Sequence, residues 1–513
     1  MTSHPHGMSR NESLAKHCAD SPAPNLPQTF GRIGPVNRVS GADPNGDPFE
    51  PSSVVPAFVE VVDGLDDNGD TIEEGPAAAG MTFFGQFVDH DVTFDATSEI
   101  GRAISPSSVR NVRTPALDLD CVYGDGPEAS NHLYSPDHEG FLLFGNHQND
   151  LDLPRNSQGT ALIGDARNDE NQIISQIQGA FICLHNIMMT KMSADKSLVG
   201  KAMSGISSEA MAEMPSEAMI FQAARRAVRL HYQWLVLNDL LESFVDEDVL
   251  TSVRDHFKAG TLPKPFTKHS PVMPLEFSVA AYRFGHATVQ PEYALNDDHP
   301  AFPLFELMRP EFTFRPKDKN IMFTRLFDFP GNAKFQKARP VSLDLASVIY
   351  RLPFVAHGFK VTDGLGRSFD VSVDDARKLP LRNIVRDRYT MHIASGQQMA
   401  RLMHVPAIPA PKALTDHGIT KTPLWFYCLQ EGGQHGGKLG PVGGTIVATV
   451  LMRLLHLSPD SLLCSAPDFV PWPELGANQD GGYSMGHMLK FVEENRDHID
   501  HAEDLVTGHM KAP

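Results

Sequence analysis

Apolar residues recur at spacings of three and four over 82–92, 171–194, 217–245, 341–352, 395–403 and 442–456, a period that predicts six helices. Strict alternation is rare. It is confined to FKVTDGLGRSFDVSV, residues 359–373, and predicts a single hairpin at most. No segment repeats at a fixed period of 20 to 50 residues. The expected fold class is therefore mainly α, one large helical domain over residues 51–513 with little β structure and long irregular loops. Residues 1–50 are rich in Pro, Ser, Asn, Gly and His without sustained periodicity, and are expected to form an extended or disordered N-terminal arm. Residues 51–80, with VVDGLDDNGDTIEEGPAAAG, read as a turn-rich acidic approach.

Composition narrows the function. A chain of 513 residues with 41% hydrophobic content can bury a large core. Its formal charge of -19 and the lack of any basic run argue against a nucleic-acid partner, and an acidic surface mainly confers solubility. The first residues contain no apolar stretch followed by a cleavage site, so no signal peptide is expected. The expected location is the cytoplasm or, by a non-classical route, the outside of the cell. No run reaches 18 apolar residues, so no membrane span is expected. Cys18, Cys121, Cys183, Cys428 and Cys464 are odd in number, widely spaced and form no CxxC pair, and read as reduced thiols.

The chemistry concentrates in FFGQFVDHDVTFD, residues 83–95. On a helix, Gln86, Asp89 and His90 stand at i, i+3 and i+4 and share a face. Asp91 turns about 100° away, toward a second site. Polar groups among phenylalanines are costly to bury without partners, which favours a cofactor or metal over a partly exposed helix that meets water. Arg167 and Glu170 stand three apart in LIGDARNDENQ, before a helix, and an ordinary surface pair there is worth at most about 1 kcal/mol. His286 lies in apolar AAYRFGHATV, where a satisfied core histidine is the plain alternative to a ligand. Asn383 sits in the basic segment LPLRNIVRDR.

Together these segments resemble the animal haem peroxidase superfamily, and within it the large bacterial members. The motifs spread over residues 80 to about 460, and NDLDLPRNSQGTALIGD and LGPVGGTIVATVLMRLL resemble the bacterial members too. The resemblance implies a haem-peroxidase-like helical domain that binds haem b. It makes His90 the distal histidine, Gln86 its neighbour, Arg167 the catalytic arginine and His286 the axial iron ligand. Asn383 would accept the N–H of the proximal imidazole, and Arg283 would contact the haem edge. Asp89 and Glu170 match the carboxylates that form ester bonds to haem methyls. NVRTPALDLDCVYG resembles the family's calcium loop, which assigns Asp91, Thr114, the Ala116 carbonyl, Asp118 and Asp120 to Ca2+, with Asp120 where serine is common. The implied reaction is reduction of hydrogen peroxide, with His90 as base and then acid and Arg167 stabilising the leaving oxygen. Halides, thiocyanate or phenols would return the electrons.

Two departures refine the expectation. Asn171 stands where the strongest chloride oxidisers carry a vinyl-bonding methionine, so at most two ester links and no sulfonium link are expected, with chloride a poor donor. RDRYTMHIASG lacks the arginine-aspartate-histidine-glycine run common after the proximal asparagine. A haem-dependent fatty-acid dioxygenase is the alternative enzyme. Such enzymes place a tyrosine three residues before the proximal histidine, where this chain has Arg283, with Tyr282 one position earlier. A non-catalytic haem- or calcium-binding protein is a third reading. GGQHGGK at 432–438 lacks the Ser or Thr of a phosphate loop, DDNGD at 66–70 lacks the later glutamate of a calcium loop, and the 23 histidines contain no HExxH pair.

Overall fold

The helices that build and support the site are α1 (Val54–Asp63), α2 (Ala79–Val92), α3 (Gln172–Ala194), α4 (Ser216–Leu235), α5 (Glu247–Lys258), α6 (Leu379–Val385), α7 (Gly396–Met403), α8 (Leu424–Gly432), α9 (Pro441–Leu457) and α10 (Met485–Asn495). The computed structural model describes residues 30–36, 54–66, 72–94, 100, 111, 113, 115–205, 216–267, 273–308, 313–332, 334–362 and 368–508. The fold is mainly α, as the periodicity predicts.

At the centre lies α3, buried along nearly its whole length between α2 and α4. By length and composition it could cross a membrane, but 94% of its most apolar window is buried inside the protein, which marks a core helix. Asn171 starts it, its side chain accepting from the N–H groups of Ile173 and Ile174. The residues Phe84, Phe87 and Val88 form the inward stripe of α2. Phe87 stacks on Phe181 of α3 with centroids 4.9 Å apart, and Tyr232 of α4 meets both rings edge-on. Each such ring is worth roughly 1.5–3 kcal/mol of burial, which locks α2 rotationally and decides where its polar residues point.

Five of the six predicted helices form. The sixth, 341–352, contains only a 3-10 turn, Ser347–Tyr350. Its apolar spacing is helical, but Ser342 Oγ accepts from the Asp344 N–H and turns the backbone locally. The 217–245 segment continues past α4 through a π turn, Val236–Leu240, into Leu241–Phe244. The acidic approach contains α1, which its Pro- and Val-rich sequence conceals, and α8 is apolar on every side and so shows no period.

Of strand, the predicted hairpin forms from β5 (Phe359–Thr362) and β6 (Ser368–Val371). Two shorter ladders of two residues each were not expected: β1 (Phe30–Gly31) with β2 (Met273–Pro274), and β3 (Glu292–Tyr293) with β4 (Phe302–Pro303). The first of these docks Phe30 and Gly31 of the arm, after which the chain bends at 33–34. There Ile33 N and Gly34 N donate to the buried Glu276 carboxylate at 3.1 and 3.0 Å. The rest of the arm expectation lies outside the described residues. The four described cysteines are all free, three of them buried.

Candidate functional site

A cavity of about 1110 Å3, its open mouth included, lies between α2 and the segment around His286. Thr82, Gln86 and Asp89 of α2 line one wall, at the three- and four-residue spacing of a helical face, and Glu170 and Asn171 extend it. Arg283 and His286 line the other. Phe83, Phe244, Phe284, Phe305 and Leu352 make most of the remaining surface apolar.

On the α2 wall the polar groups hold each other. Gln86 Nε2 donates to Glu170 Oε1, and Asn171 Nδ2 donates to Gln86 Oε1 at 3.3 Å. Thr93 Oγ1 donates to Asp89 Oδ1 at 2.7 Å. Burial pushes the Glu170 carboxyl up to about 7, against the pull of Arg167.

His90 does not share this wall. It is buried beside it, and its Nδ1 stands 2.7 Å from Asn168 Oδ1. Asn168 Nδ2 donates to Gln178 Oε1 at 2.8 Å, which fixes the amide with its oxygen toward the ring. Nδ1 therefore carries the proton and Nε2 keeps its lone pair. Burial first, and Arg167 second, lower the His90 pKa to about 4.

Arg167 is likewise set back from the cavity. Its Nη2 donates to His90 O at 3.0 Å and to Asp165 Oδ2 at 2.8 Å, and its guanidinium lies 4.4 Å above the Phe94 ring. Asn168 and Asp165 were missed by motif reading, although both fall within two residues of Arg167.

The opposite wall is built from a π turn, Glu276–Ala280, that passes into a 3-10 helix, Ala281–Ala287. In a 3-10 helix residues three apart eclipse, so Arg283 and His286 present the same side. Asn383 of α6 stands behind the ring, with Nδ2 3.0 Å from His286 Nδ1. Its Oδ1 is buried and has no partner, so turning the amide puts an acceptor at Nδ1 without losing another bond. The unfamiliar RDRYT stretch forms a π turn after α6, and its buried Asp387 accepts from Trp425 N at 3.0 Å. Trp425 Nε1 in turn donates to Arg283 O at 3.1 Å, tying α8 to the His286 segment. Burial, then Arg283 and Arg386, hold the His286 pKa well below the usual histidine range.

Residues 98–324 match the family model described as animal haem peroxidase. By sequence, this segment is similar to that family. It includes Arg167, Glu170 and His286 but stops short of α2 and Asn383, which the fold brings to the same cavity. Among solved structures, peroxidase A from Dictyostelium discoideum superposes with a TM-score of 0.57 at 13% identity, covering 91% of this chain and 94% of that one. The fatty acid alpha-dioxygenase from Oryza sativa gives 0.53 at 14%, covering 93% and 88%. At these identities the likeness is one of fold. No curated protein matches the sequence.

The animal haem peroxidase family implies haem binding, and the residues present suit it. An apolar cavity, a histidine held neutral on its wall and an unpartnered amide oxygen behind that histidine are what an axial imidazole requires.

A second group of acids gathers under α2. Asp91, on the inward stripe, meets Asp118 and Asp120, all three buried and with ligand atoms within 4.8 Å of one another. Tyr232 Oη and Leu119 N donate to Asp91 Oδ2 at 3.1 and 3.3 Å, while Asp91 Oδ1 is buried without a partner. Burial and Asp118 push the Asp91 carboxyl up to about 7. A bound dication would relieve both the repulsion and the bare oxygen. Ala116 lies buried in the same loop, and Thr114 lies outside the described residues.

Proposed function

We propose that the protein is a haem-dependent peroxidase that reduces hydrogen peroxide and oxidises a small donor such as bromide, iodide, thiocyanate or a phenol. The observation that carries this reading is the cavity with His286 on one wall, backed by Asn383, and Gln86, Asp89 and Glu170 on the other. Bound haem would supply a redox-active iron. His286 would hold the iron through Nε2, with Nδ1–H given to the turned Asn383 amide, a neutral partner that leaves the imidazole only moderately electron-donating. From its position behind the α2 wall, His90 would act through Nε2, taking one proton from peroxide and returning it to the departing oxygen. Arg167 would favour negative charge on that oxygen. Arg283 would contact the haem edge, and Asp89 and Glu170 are the carboxyls available for ester links. Asp91, Asp118, Asp120, the Ala116 carbonyl and Thr114 would bind Ca2+ below α2 and fix the helix that carries Gln86 and His90.

A second reading, a fatty-acid dioxygenase, has one observation in its favour: the Tyr282 ring lines the cavity, four residues before His286. Its hydroxyl, however, donates to Gly85 O at 3.1 Å and is committed to the α2 backbone. The deciding experiment reconstitutes the protein with haem, records the Soret band before and after one equivalent of hydrogen peroxide, and extracts the haem with acid acetone. A band that shifts with peroxide, followed by turnover of bromide, thiocyanate or a phenol, supports the peroxidase, and haem that resists extraction supports the ester links. Oxygen uptake with a fatty acid that is lost in Tyr282→Phe would transfer the assignment to the dioxygenase. Haem binding without either turnover would leave a binding protein.

A further inference from the structure

We propose that His138, His501 and Asp504 form a surface site for a divalent transition-metal ion of the Zn2+, Ni2+ or Cu2+ class, separate from the haem cavity and the acidic loop. The three come from opposite parts of the chain, yet one ligand atom from each lies within 4.8 Å of the others. His138 Nε2 stands 2.9 Å from Asp504 Oδ2. The His138 and His501 rings stack with centroids 3.7 Å apart and planes 6° from parallel, and Phe141 meets His501 edge-on.

The backbone builds the site. His501 takes a left-handed conformation with φ of 60°, an uncommon one for a residue with a side chain, and Asp504 N donates to His501 O at 2.9 Å. That turn sets two ligands three residues apart on one side. His138 is held by its own N–H, which donates to Ser135 Oγ at 3.2 Å. Donors sharing a tetrahedral ion lie roughly 3.3 Å apart for bonds of about 2.0–2.1 Å, and imidazole lone pairs lie in the ring plane, so closure requires the two stacked rings to turn out of parallel. The exposed His501 and Asp504 can make that turn. Two imidazoles and one carboxylate suit a borderline ion better than calcium, and water can complete the set.

The ion would pin the C-terminal segment where that segment supports the active region. Thr507 Oγ1 accepts from Arg155 N at 2.9 Å, and the Arg155 guanidinium clamps Asp169 through two bonds of 2.7 Å, next to Glu170.

The test titrates the haem-loaded protein with Zn2+ in excess Ca2+ against a chromophoric chelator, alongside His138→Gln, His501→Asn and Asp504→Asn. Asparagine at 501 tolerates the left-handed backbone. One equivalent of Zn2+ should bind to the parent protein, and each substitution should weaken it at least ten-fold with an unchanged Soret spectrum. Zn2+ should also slow carboxypeptidase trimming of the parent protein and leave the trimming of the three variants unaltered. No bound equivalent, or the same affinity in all three variants, overturns the site and leaves a hydrogen-bonded tail anchor in its place.

Discussion

His90 is the residue whose surroundings make the sharpest demand. Its Nδ1 is committed to Asn168, so any proton it handles must pass through Nε2, and its pKa is lowered to about 4. The neutral base is the active form, so peroxide reduction should hold steady from pH 8 to 5 and fall as the pH drops through about 4. Replacing His90 with Ala should lower kcat/KM for peroxide by roughly 10² to 10⁴ and remove that acidic limb, measured by stopped-flow over pH 3–8. Behind the other wall, Asn383→Leu keeps the volume but removes both amide atoms, and should cost about 10–100-fold in haem affinity or turnover. A spectrophotometric haem titration checks it. That His286 and Asn383 stand together at the cavity agrees with the short motifs that singled each of them out. The setback of His90 and Arg167 from the cavity was not legible. It depends on Asn168 and Asp165, whose partners lie about 80 positions away on α2 or within a turn that has no periodic signature.

At the scale of elements, the start of α3 and the floor of α2 govern how firmly the α2 wall is held. Asn171 caps α3 and also reaches Gln86, so the residue found where chloride oxidisers carry methionine has a structural task of its own. Asn171→Met should therefore destabilise the protein by about 1 kcal/mol rather than simply alter its chemistry, a loss visible in urea midpoints at unchanged slope. Below α2, withdrawing Ca2+ with a chelator would leave Asp91, Asp118 and Asp120 facing one another in the interior. Melting should then occur at lower temperature, by an amount corresponding to about 2.7 kcal/mol if the ion was present at 100 times its Kd, and Asp91→Asn should abolish the calcium dependence. An unchanged melt with and without chelator would remove calcium from the proposal. The long helices were readable because one face of each is apolar, whereas α8, apolar all round, and 341–352, diverted by Ser342, show how a local hydrogen bond or a fully buried position defeats periodicity.

Across the whole molecule, stability against acid rests on histidines that the reaction does not use. His231 Nδ1 donates to Ala227 O at 2.7 Å while Nε2 accepts from Trp472 N at 2.8 Å. His185 Nε2 donates to Gly140 O at 2.9 Å, and its Nδ1 stands 3.2 Å from Tyr123 Oη, which must then donate. Each ring is thus held in one neutral tautomer, and a second proton would set two donors against each other. These contacts, several of them between segments more than 40 positions apart, could not be read from a list of scattered histidines. Burial lowers the pKa of His185 to about 4 and of His231 to about 3. A lowered histidine pKa contributes stability that is complete above the unfolded value of 6.5 and is lost as the pH falls through the folded value, on the order of 3 kcal/mol for each ring. Buried Glu170, Glu431 and Asp387 act in the opposite sense, because burial raises their carboxyls to about 7 and protonation between about 7 and 4.5 favours the folded state. Those two trends offset one another down to about pH 4.5, after which the histidine loss continues and carboxylates held low by partners, such as Asp165 beside Arg167 and Arg113, add theirs. Stability should therefore change little from pH 7 to 4.5 and fall steeply below. His231→Gln, whose amide can both donate and accept, should lower the change of stability per pH unit between pH 6 and 4 by about 1.4 kcal/mol, the linkage of one proton, so that the variant gains stability relative to the parent as the pH falls. The slope, unlike the absolute stability, is insensitive to whatever packing the substitution disturbs, so identical slopes in urea unfolding at pH 6, 5 and 4 would show that His231 already carries its second proton in the folded protein.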